Sequence, residues 1–150
     1  MIGVADVLLA NLDSAYDRKG WHGTTLRGAL RGLSVGQVAW RPQGRRHNIW
    51  ELALHCAYWK YAVRRRLTGE KRGSFVRKGS NWFASDDVDE KSWRAVVDVL
   101  DDEHRQLRAA IESLPSRVLG DAKKLPMIYG IAAHDLYHTG QIQLIKRLQQ

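Results

Sequence analysis

The stretch that decides the fold reads GIAAHDLYHTGQIQLIKRL and runs from Gly130 to Leu148. Its apolar residues recur every three or four positions, which is typical of one face of an α-helix, where each residue turns the chain by about 100°. That face must pack against the rest of the protein. It also carries two imidazoles, since His134 and His138 lie one turn apart on it and Gln141 follows one turn later.

The helical period dominates the rest of the chain, and the alternation typical of β-strands is nearly absent. The pattern predicts four long helices, at about residues 2–19, 48–67, 89–114 and from 127 almost to the end. Asn48 is predicted to cap the second of them, with Glu51 at the capping-box position. A short helix is predicted over residues 24–31, and Ser34 could cap a further turn or two. The predicted fold is therefore an all-α four-helix bundle with an extra short helix after the first helix.

Length and composition favour one domain in a reducing compartment. The chain has 150 residues and shows no internal repeat or linker, so we expect a single domain over residues 1–150. Cys56 is the only cysteine, which excludes a disulfide within the chain. We expect no signal peptide and no membrane span, because no basic segment precedes the first apolar residues and no run of about 18 apolar residues exists. The prediction is a soluble cytoplasmic protein without a membrane partner.

The charge of the chain leaves several kinds of partner open. The sequence has 24 basic and 16 acidic residues, a formal net charge of +8, which attracts anions. The basic residues gather at helix ends and in loops, with no basic stripe interleaved with aromatics along one element. The pattern therefore favours a solvated surface over a nucleic-acid interface. One of these loops, about residues 70–89, is long for a compact domain, and loops of that length commonly have a function.

A third imidazole is predicted to reach the face that carries the first two. In the second long helix His55 lies on the apolar side with Leu52 and Trp59, so it should point inward like His134 and His138. Three neutral imidazoles are a common ligand set for a catalytic metal ion, because one coordination position stays open for water or substrate. Ordinary packing is the competing interpretation, but each unsatisfied buried polar atom would cost about 1–3 kcal/mol. The pattern favours a divalent metal, with zinc or nickel as the ion.

Three further residues are candidates for catalytic roles around this site. Glu51 lies one turn before His55 and could orient a bound water or act as a fourth ligand, although capping of the helix is the favoured alternative. Gln141 could bond a ligand imidazole or a substrate, and packing is an equal alternative. His22, in the loop sequence WHG, could reach the mouth of the site or serve only as a turn residue.

Other chemically active side chains are assigned to structure rather than to the site. We expect His47 at the surface, His104 as packing in the core and Cys56 as an unreactive core filler. Asp135 and Tyr137 are turned away from the histidine face, where they could support a ligand or contact another helix.

Three stretches of the chain, taken in order, resemble the DinB-like superfamily of four-helix bundles. They read WHGTTLRGAL, RPQGRRHNIWELALHCAYW and GIAAHDLYHTGQIQLIKRL, and the segment YHTGQI in the last is the most specific part. The resemblance covers nearly the whole chain. It implies that one histidine of the second long helix and two of the last bind a divalent metal, which by position are His55, His134 and His138. It also implies a homodimer formed through helix faces.

The resemblance also indicates a reaction. The superfamily includes bacillithiol and mycothiol transferases, in which a metal activates a low-molecular-weight thiol, and other members are described as metal-dependent hydrolases. We therefore expect a metal-dependent enzyme for a small-molecule substrate, with thiol S-transfer to an electrophile favoured and hydrolysis second. The alternative is a non-catalytic stress-response binding or interaction module with a structural metal. A fourth protein ligand would favour that alternative, whereas a pocket above an open coordination position would favour catalysis.

Overall fold

The structure is a computed structural model that describes residues 1–150, and every regular element in it is a helix. The elements are α1 (Val4–Tyr16), α2 (Leu26–Ala29), α3 (Val35–Ala39), α4 (Ile49–Thr68), α5 (Glu90–Glu112), α6 (Ser116–Leu119) and α7 (Leu125–Leu148). The long helices form a closed ring, because α4 packs against α5 and α7, and α1 packs against the same two helices. The predicted all-α bundle is confirmed. Each predicted helix matches its structural counterpart to within three residues at either end, and the turns that Ser34 could cap are present as α3. The short helix α6 and a 3-10 helix at Pro42–Gly44 were not predicted.

Capping residues begin or end several helices, and the two predicted caps, Ser34 and Asn48, are among them. Asn48 Oδ1 accepts a hydrogen bond from the backbone N–H of Glu51 at 2.9 Å, which satisfies one of the free donors at the start of α4. Ser34 caps α3 and Asp89 caps α5 in the same way. At the end of α4, Gly69 has a φ of 82°, a left-handed conformation that a side chain would strain. The reciprocal bond of the predicted capping box at α4 does not form, because the Glu51 carboxylate turns towards other partners.

The core between the long helices is mainly apolar. Leu12, Leu54, Leu100 and Ile128 are all fully buried. Burial of one such side chain stabilises a fold by about 1.5–3 kcal/mol. No helix is both long enough and apolar enough to cross a membrane.

A charged group is nevertheless enclosed between α4 and α7. Lys60 and Asp135 are both fully buried, and they form an ion pair with each other. The Lys60 ammonium also lies 3.4 Å from Nδ1 of His104 and 4.8 Å from the centre of the Tyr16 ring. We call these four residues the lysine network. His104 is buried as predicted, but as part of a charged group rather than as plain packing.

The long loop between α4 and α5 is held against α4 by aromatic contacts. Phe83 is buried, and its ring centre lies 5.7 Å from that of Tyr58 and 5.4 Å from that of Phe75. Phe75 in turn meets Tyr58 edge to face at 5.4 Å. The loop therefore has a defined position over α4, and it brings its residues 81–85 beside the three predicted metal ligands.

Candidate metal centre

Three imidazoles from two helices meet between α4 and α7. Nε2 of His134 lies 3.1 Å from Nε2 of His55 and 3.1 Å from Nε2 of His138. One metal ion bound to all three nitrogens at about 2.0–2.1 Å in a tetrahedron would hold them about 3.3–3.4 Å apart. The observed spacing is close to that value. We call these residues the histidine cluster. His134 also belongs to a second group of potential ligands, with Cys56 and Asp135, whose atoms lie within 4.8 Å of one another.

The orientation of His55 is fixed by the loop that follows α4. Its Nδ1 lies 2.8 Å from the backbone oxygen of Asn81, which can only accept, so the proton is on Nδ1 and the lone pair of Nε2 faces the cluster. Asn81 has a φ of 67°, a conformation that few residues other than glycine adopt. Its side-chain Oδ1 accepts a hydrogen bond from Nε1 of Trp59 at 2.9 Å. A locally strained residue is thus held in place where it orients a predicted ligand.

The other two imidazoles differ in whether their Nδ1 atom has a hydrogen-bond partner. Nδ1 of His138 lies 2.6 Å from Oε1 of Gln141, so this proton also sits on Nδ1 and Nε2 faces the cluster. The bond to a ligand imidazole was one of the two roles that the sequence suggested for Gln141. Nδ1 of His134 is buried and has no hydrogen-bond partner.

The three imidazoles would be better satisfied by a bound cation than by hydrogen bonds to one another. Burial lowers the pKa of His55 to about 4 and that of His134 to about 3, and burial also lowers the pKa of His138. All three rings are therefore neutral near pH 7. Because the protons of His55 and His138 sit on Nδ1, only a proton on Nε2 of His134 could lie between the rings, and it can satisfy one of the two close contacts but not both. A divalent metal would satisfy all three lone pairs, as the sequence predicts.

Tryptophan covers one side of the cluster. The Trp82 ring stacks on His55 with ring centres 3.8 Å apart and planes 9° apart, and His47 stacks on its opposite face at 3.6 Å. An apolar ring against a ligand imidazole keeps water away from that side and holds the ring plane.

Glu51 supports a neighbouring histidine rather than the cluster itself. Its carboxylate accepts hydrogen bonds from Arg41, from the backbone of Ser85 at 3.2 Å and from Nδ1 of His47 at 2.8 Å. Burial opposes ionisation of Glu51, but these donors outweigh it and lower the pKa of the carboxyl to about 2. The oxygens are thus occupied by donors, and Glu51 is not among the residues that converge on one ion.

A depression of about 440 Å³ opens beside the cluster. His138 and Gln141 lie at its base, and its walls are mainly apolar, with Trp82, Tyr137 and Leu144 among them. Arg46 and His47 line it as well. His47 was predicted to be a surface residue, and its side chain is 48% exposed, but it faces this pocket. Its four-residue spacing from Glu51 was the one pattern that could have indicated a pair.

His22 lies elsewhere on the molecule. Its Nε2 lies 2.9 Å from the backbone oxygen of Ser14. With Thr24, Thr139 and Gln143 it lines a separate depression on another side of α7. The structure does not bring His22 to the cluster, and its catalytic role stays a prediction from the sequence. Cys56 is fully buried, and burial raises the pKa of its thiol well above the usual value, in keeping with a core filler.

Comparison with known proteins places the chain in a family. The family model described as the DinB superfamily matches residues 20–142, and the chain belongs to this superfamily. No curated protein and no solved structure matches it. The matched range contains the whole histidine cluster, which could hold a metal ion, and the superfamily includes metal-dependent enzymes.

Proposed function

We propose that the protein is a metal-dependent enzyme that joins a low-molecular-weight thiol to a small electrophile. The observation that supports this proposal is the pocket that His138, one of the three cluster histidines, lines. His55, His134 and His138 would hold the metal, and zinc and nickel both suit neutral imidazoles. When bound, such a metal supplies a Lewis acid that lowers the pKa of a thiol or of water. No fourth ligand closes the cluster, which favours catalysis over a purely structural metal.

The pocket walls match a substrate with an apolar body and an anionic group. Trp82, Tyr137 and Leu144 give the pocket apolar surface that excludes water and favours an apolar electrophile. Arg46 has no acidic partner within 4.0 Å and would bind a carboxylate of the thiol through charge-assisted hydrogen bonds.

His47 is the group placed to accept the thiol proton. Glu51 accepts from its Nδ1, which leaves the lone pair of Nε2 free on an imidazole that lines the pocket. A carboxylate that orients a histidine in this way also stabilises the imidazolium after proton transfer. In the transfer the sulfur bonds to the electrophilic carbon, the leaving group departs with the bonding pair, and the proton passes to His47. Glu51 and Gln141 are positioning residues in this scheme.

A screen of the zinc-loaded and nickel-loaded protein tests the proposal. Cysteine, glutathione and other small thiols would be offered with 1-chloro-2,4-dinitrobenzene, whose thioether product is coloured, and p-nitrophenyl acetate without thiol would report hydrolysis. We expect thiol-dependent turnover that disappears in H138A and falls strongly in H47Q. H22Q tests the catalytic role that the sequence predicts for His22, and unchanged turnover in that variant would remove it. Hydrolysis without a thiol requirement would replace the transferase by the hydrolase. Metal binding without turnover of either kind would favour the non-catalytic module.

A homodimer is part of the same proposal. The exposed residues Tyr129, Tyr137, Leu144 and Leu148 fall on one side of α7 and form an apolar strip. A second copy of the chain on this strip would cover apolar surface and wall the pocket at Tyr137 and Leu144. Light scattering coupled to gel filtration should give twice the monomer mass for the protein and the monomer mass for L144E. A location in the cytoplasm and a single domain over residues 1–150 stay predictions.

A further inference from the structure

A second concave site lies on the opposite part of the long loop from the metal centre. Residues 72–80 fold over α4 and enclose a depression of about 580 Å³. Aromatic rings of Tyr58, Tyr61 and Phe75 line it. It shares no lining residue with the pocket beside His138.

The aromatic lining has a fixed geometry. The ring centre of Phe75 lies 5.4 Å from that of Tyr61, and the two planes are tilted by 35°. The backbone N–H of Gly73 donates to the Tyr61 hydroxyl at 3.1 Å, and Gly73 has a φ of 109°, which lets the loop turn there. These contacts tie the loop to α4, so the depression is a built cavity rather than a gap beside a free loop.

Four cations surround this lining without any acidic partner. Arg65 comes from α4, and Arg72, Arg77 and Lys78 come from the loop. None of them lies within 4.0 Å of a carboxylate, whereas Arg64, one residue before Arg65, is paired with two. No acidic residue lines the depression. The Arg77 guanidinium also lies over the Trp50 ring, 4.9 Å from its centre. Four positive charges without a carboxylate partner around one concavity attract a multiply charged anion.

We propose that this depression binds a small organic phosphate that carries a planar ring. Guanidinium groups match the oxygens of a phosphate in pairs, which favours phosphate over a single carboxylate where three arginines line one depression. The aromatic rings offer an apolar surface for a planar ring. The limited extent of the depression favours a small molecule over a nucleic-acid strand, which would need a basic track that continues beyond it.

Isothermal titration of the metal-loaded protein at physiological salt tests this site with three probes. Adenosine 5′-monophosphate has both parts of the proposed ligand, ribose 5-phosphate lacks the ring, and adenosine lacks the phosphate. We expect the monophosphate to bind, adenosine to bind more weakly by at least about tenfold, which corresponds to 1.4 kcal/mol, and ribose 5-phosphate to lie between them.

A pair of charge-matched variants tests whether binding depends on the cations of the depression or on the net charge of the protein. R72Q/R77Q removes two cations of the depression, and R117Q/K123Q removes two exposed cations that lie outside it. The first variant should bind the monophosphate more than about tenfold more weakly than the parent protein, and the second less than about twofold more weakly. Equal losses in both variants, or no binding by the parent protein, would overturn the proposal. A 20-residue oligothymidylate that binds more than about 100-fold more tightly than the monophosphate and also depends on Arg72 and Arg77 would overturn it in favour of a nucleic-acid surface.

Discussion

Two polar groups are buried side by side between α4 and α7, and they differ in whether their partners lie within the protein. In the lysine network, the positive charge of Lys60 pairs with the negative charge of Asp135, and both groups are fully buried. Only Oδ2 of Asp135 has a partner there, since its Oδ1 accepts no hydrogen bond. The histidine cluster lies beside this network, since His55 precedes Lys60 by five residues on α4 and His134 is next to Asp135 on α7. Three nitrogen lone pairs converge in the cluster, and no cation of the chain lies among them.

The difference indicates which buried polar group stabilises the fold and which one binds a ligand. Unpaired buried charges are costly, so two opposite charges that pair within the protein are explained by the fold alone. A group that needs an external cation is explained only by a ligand. The predictions below test this distinction on both sides, in order of decreasing effect.

Loss of one cluster histidine should abolish tight metal binding. We expect H138A to lower the affinity for zinc by about 10⁴-fold or more, roughly 5.5 kcal/mol, because two imidazoles bind the ion much more weakly than three. The melting temperature of the zinc-loaded protein should fall by several degrees, since metal binding is linked to stability. Competition with a chromogenic chelator measures the affinity. H22A is the control, and an equal loss in that variant would contradict the assignment.

Loss of the lysine should destabilise the fold without removing the metal site. K60M leaves the buried Asp135 without its partner, and we expect the metal-free protein to lose about 3–5 kcal/mol in urea unfolding. The double variant K60M/D135L should recover much of that loss, because it removes the uncompensated charge. If K60M and K60M/D135L are equally unstable, the charges of the two residues do not compensate each other in the fold.

The groups that orient the ligands should contribute less than the ligands themselves. Q141L removes the acceptor of the His138 Nδ1 proton, and outer contacts of this kind are worth about 10–100-fold in metal affinity. Q143L, two residues further along α7, is the matched control because Gln143 lies in the other depression with His22. We expect chelator competition to show the loss only for Q141L; an unchanged zinc affinity in Q141L would mean that this hydrogen bond does not position the ligand.

The histidines should also make the metal-free protein sensitive to acid. Burial lowers the pKa values of His134 and His104 to about 3 and that of His55 to about 4, whereas an unfolded histidine titrates near 6.5. Between these limits the unfolded chain binds more protons than the folded one, so the free energy of unfolding rises with pH. The contribution of these neutral histidines to the free energy of unfolding is therefore fully present above about pH 6.5, and it is lost as the pH falls towards 3–4.

Urea unfolding at pH 7.5, 6 and 5 in the presence of a chelator measures this slope. The variant H55N/H134N/H138N should lose most of it, and His104 should account for the remainder. A slope that is unchanged in the triple variant would place the acid sensitivity outside the histidine cluster.

The helical period and the caps made the fold and the three converging histidines predictable from sequence. His134 and His138 share a face of α7 by spacing alone, and the apolar neighbours of His55 place it on the inner face of α4. Gln141 was within reach of His138 for the same reason, because a helix sets its own side-chain neighbours.

Contacts made by loops were beyond such reasoning. The carbonyl of Asn81 at His55, the stacking of Trp82 and the pocket position of His47 depend on the path of residues 70–89, which has no period. The buried Lys60 was missed because a lysine in a helix is usually exposed, and only the tertiary fold places Asp135 against it. The basic cluster around Phe75 was missed as a concave site, because its cations come from α4 and from the loop and converge only when the loop folds back.

X-ray absorption at the zinc edge, on protein loaded with one equivalent of zinc, tests the central claim most directly. Three cluster imidazoles should give three nitrogen neighbours at about 2.0–2.1 Å with the multiple scattering of histidine rings, plus one oxygen ligand from solvent or one sulfur ligand from an added thiol. Two or fewer imidazoles, or a spectrum unchanged in H138A, would show that the metal does not bind at the histidine cluster.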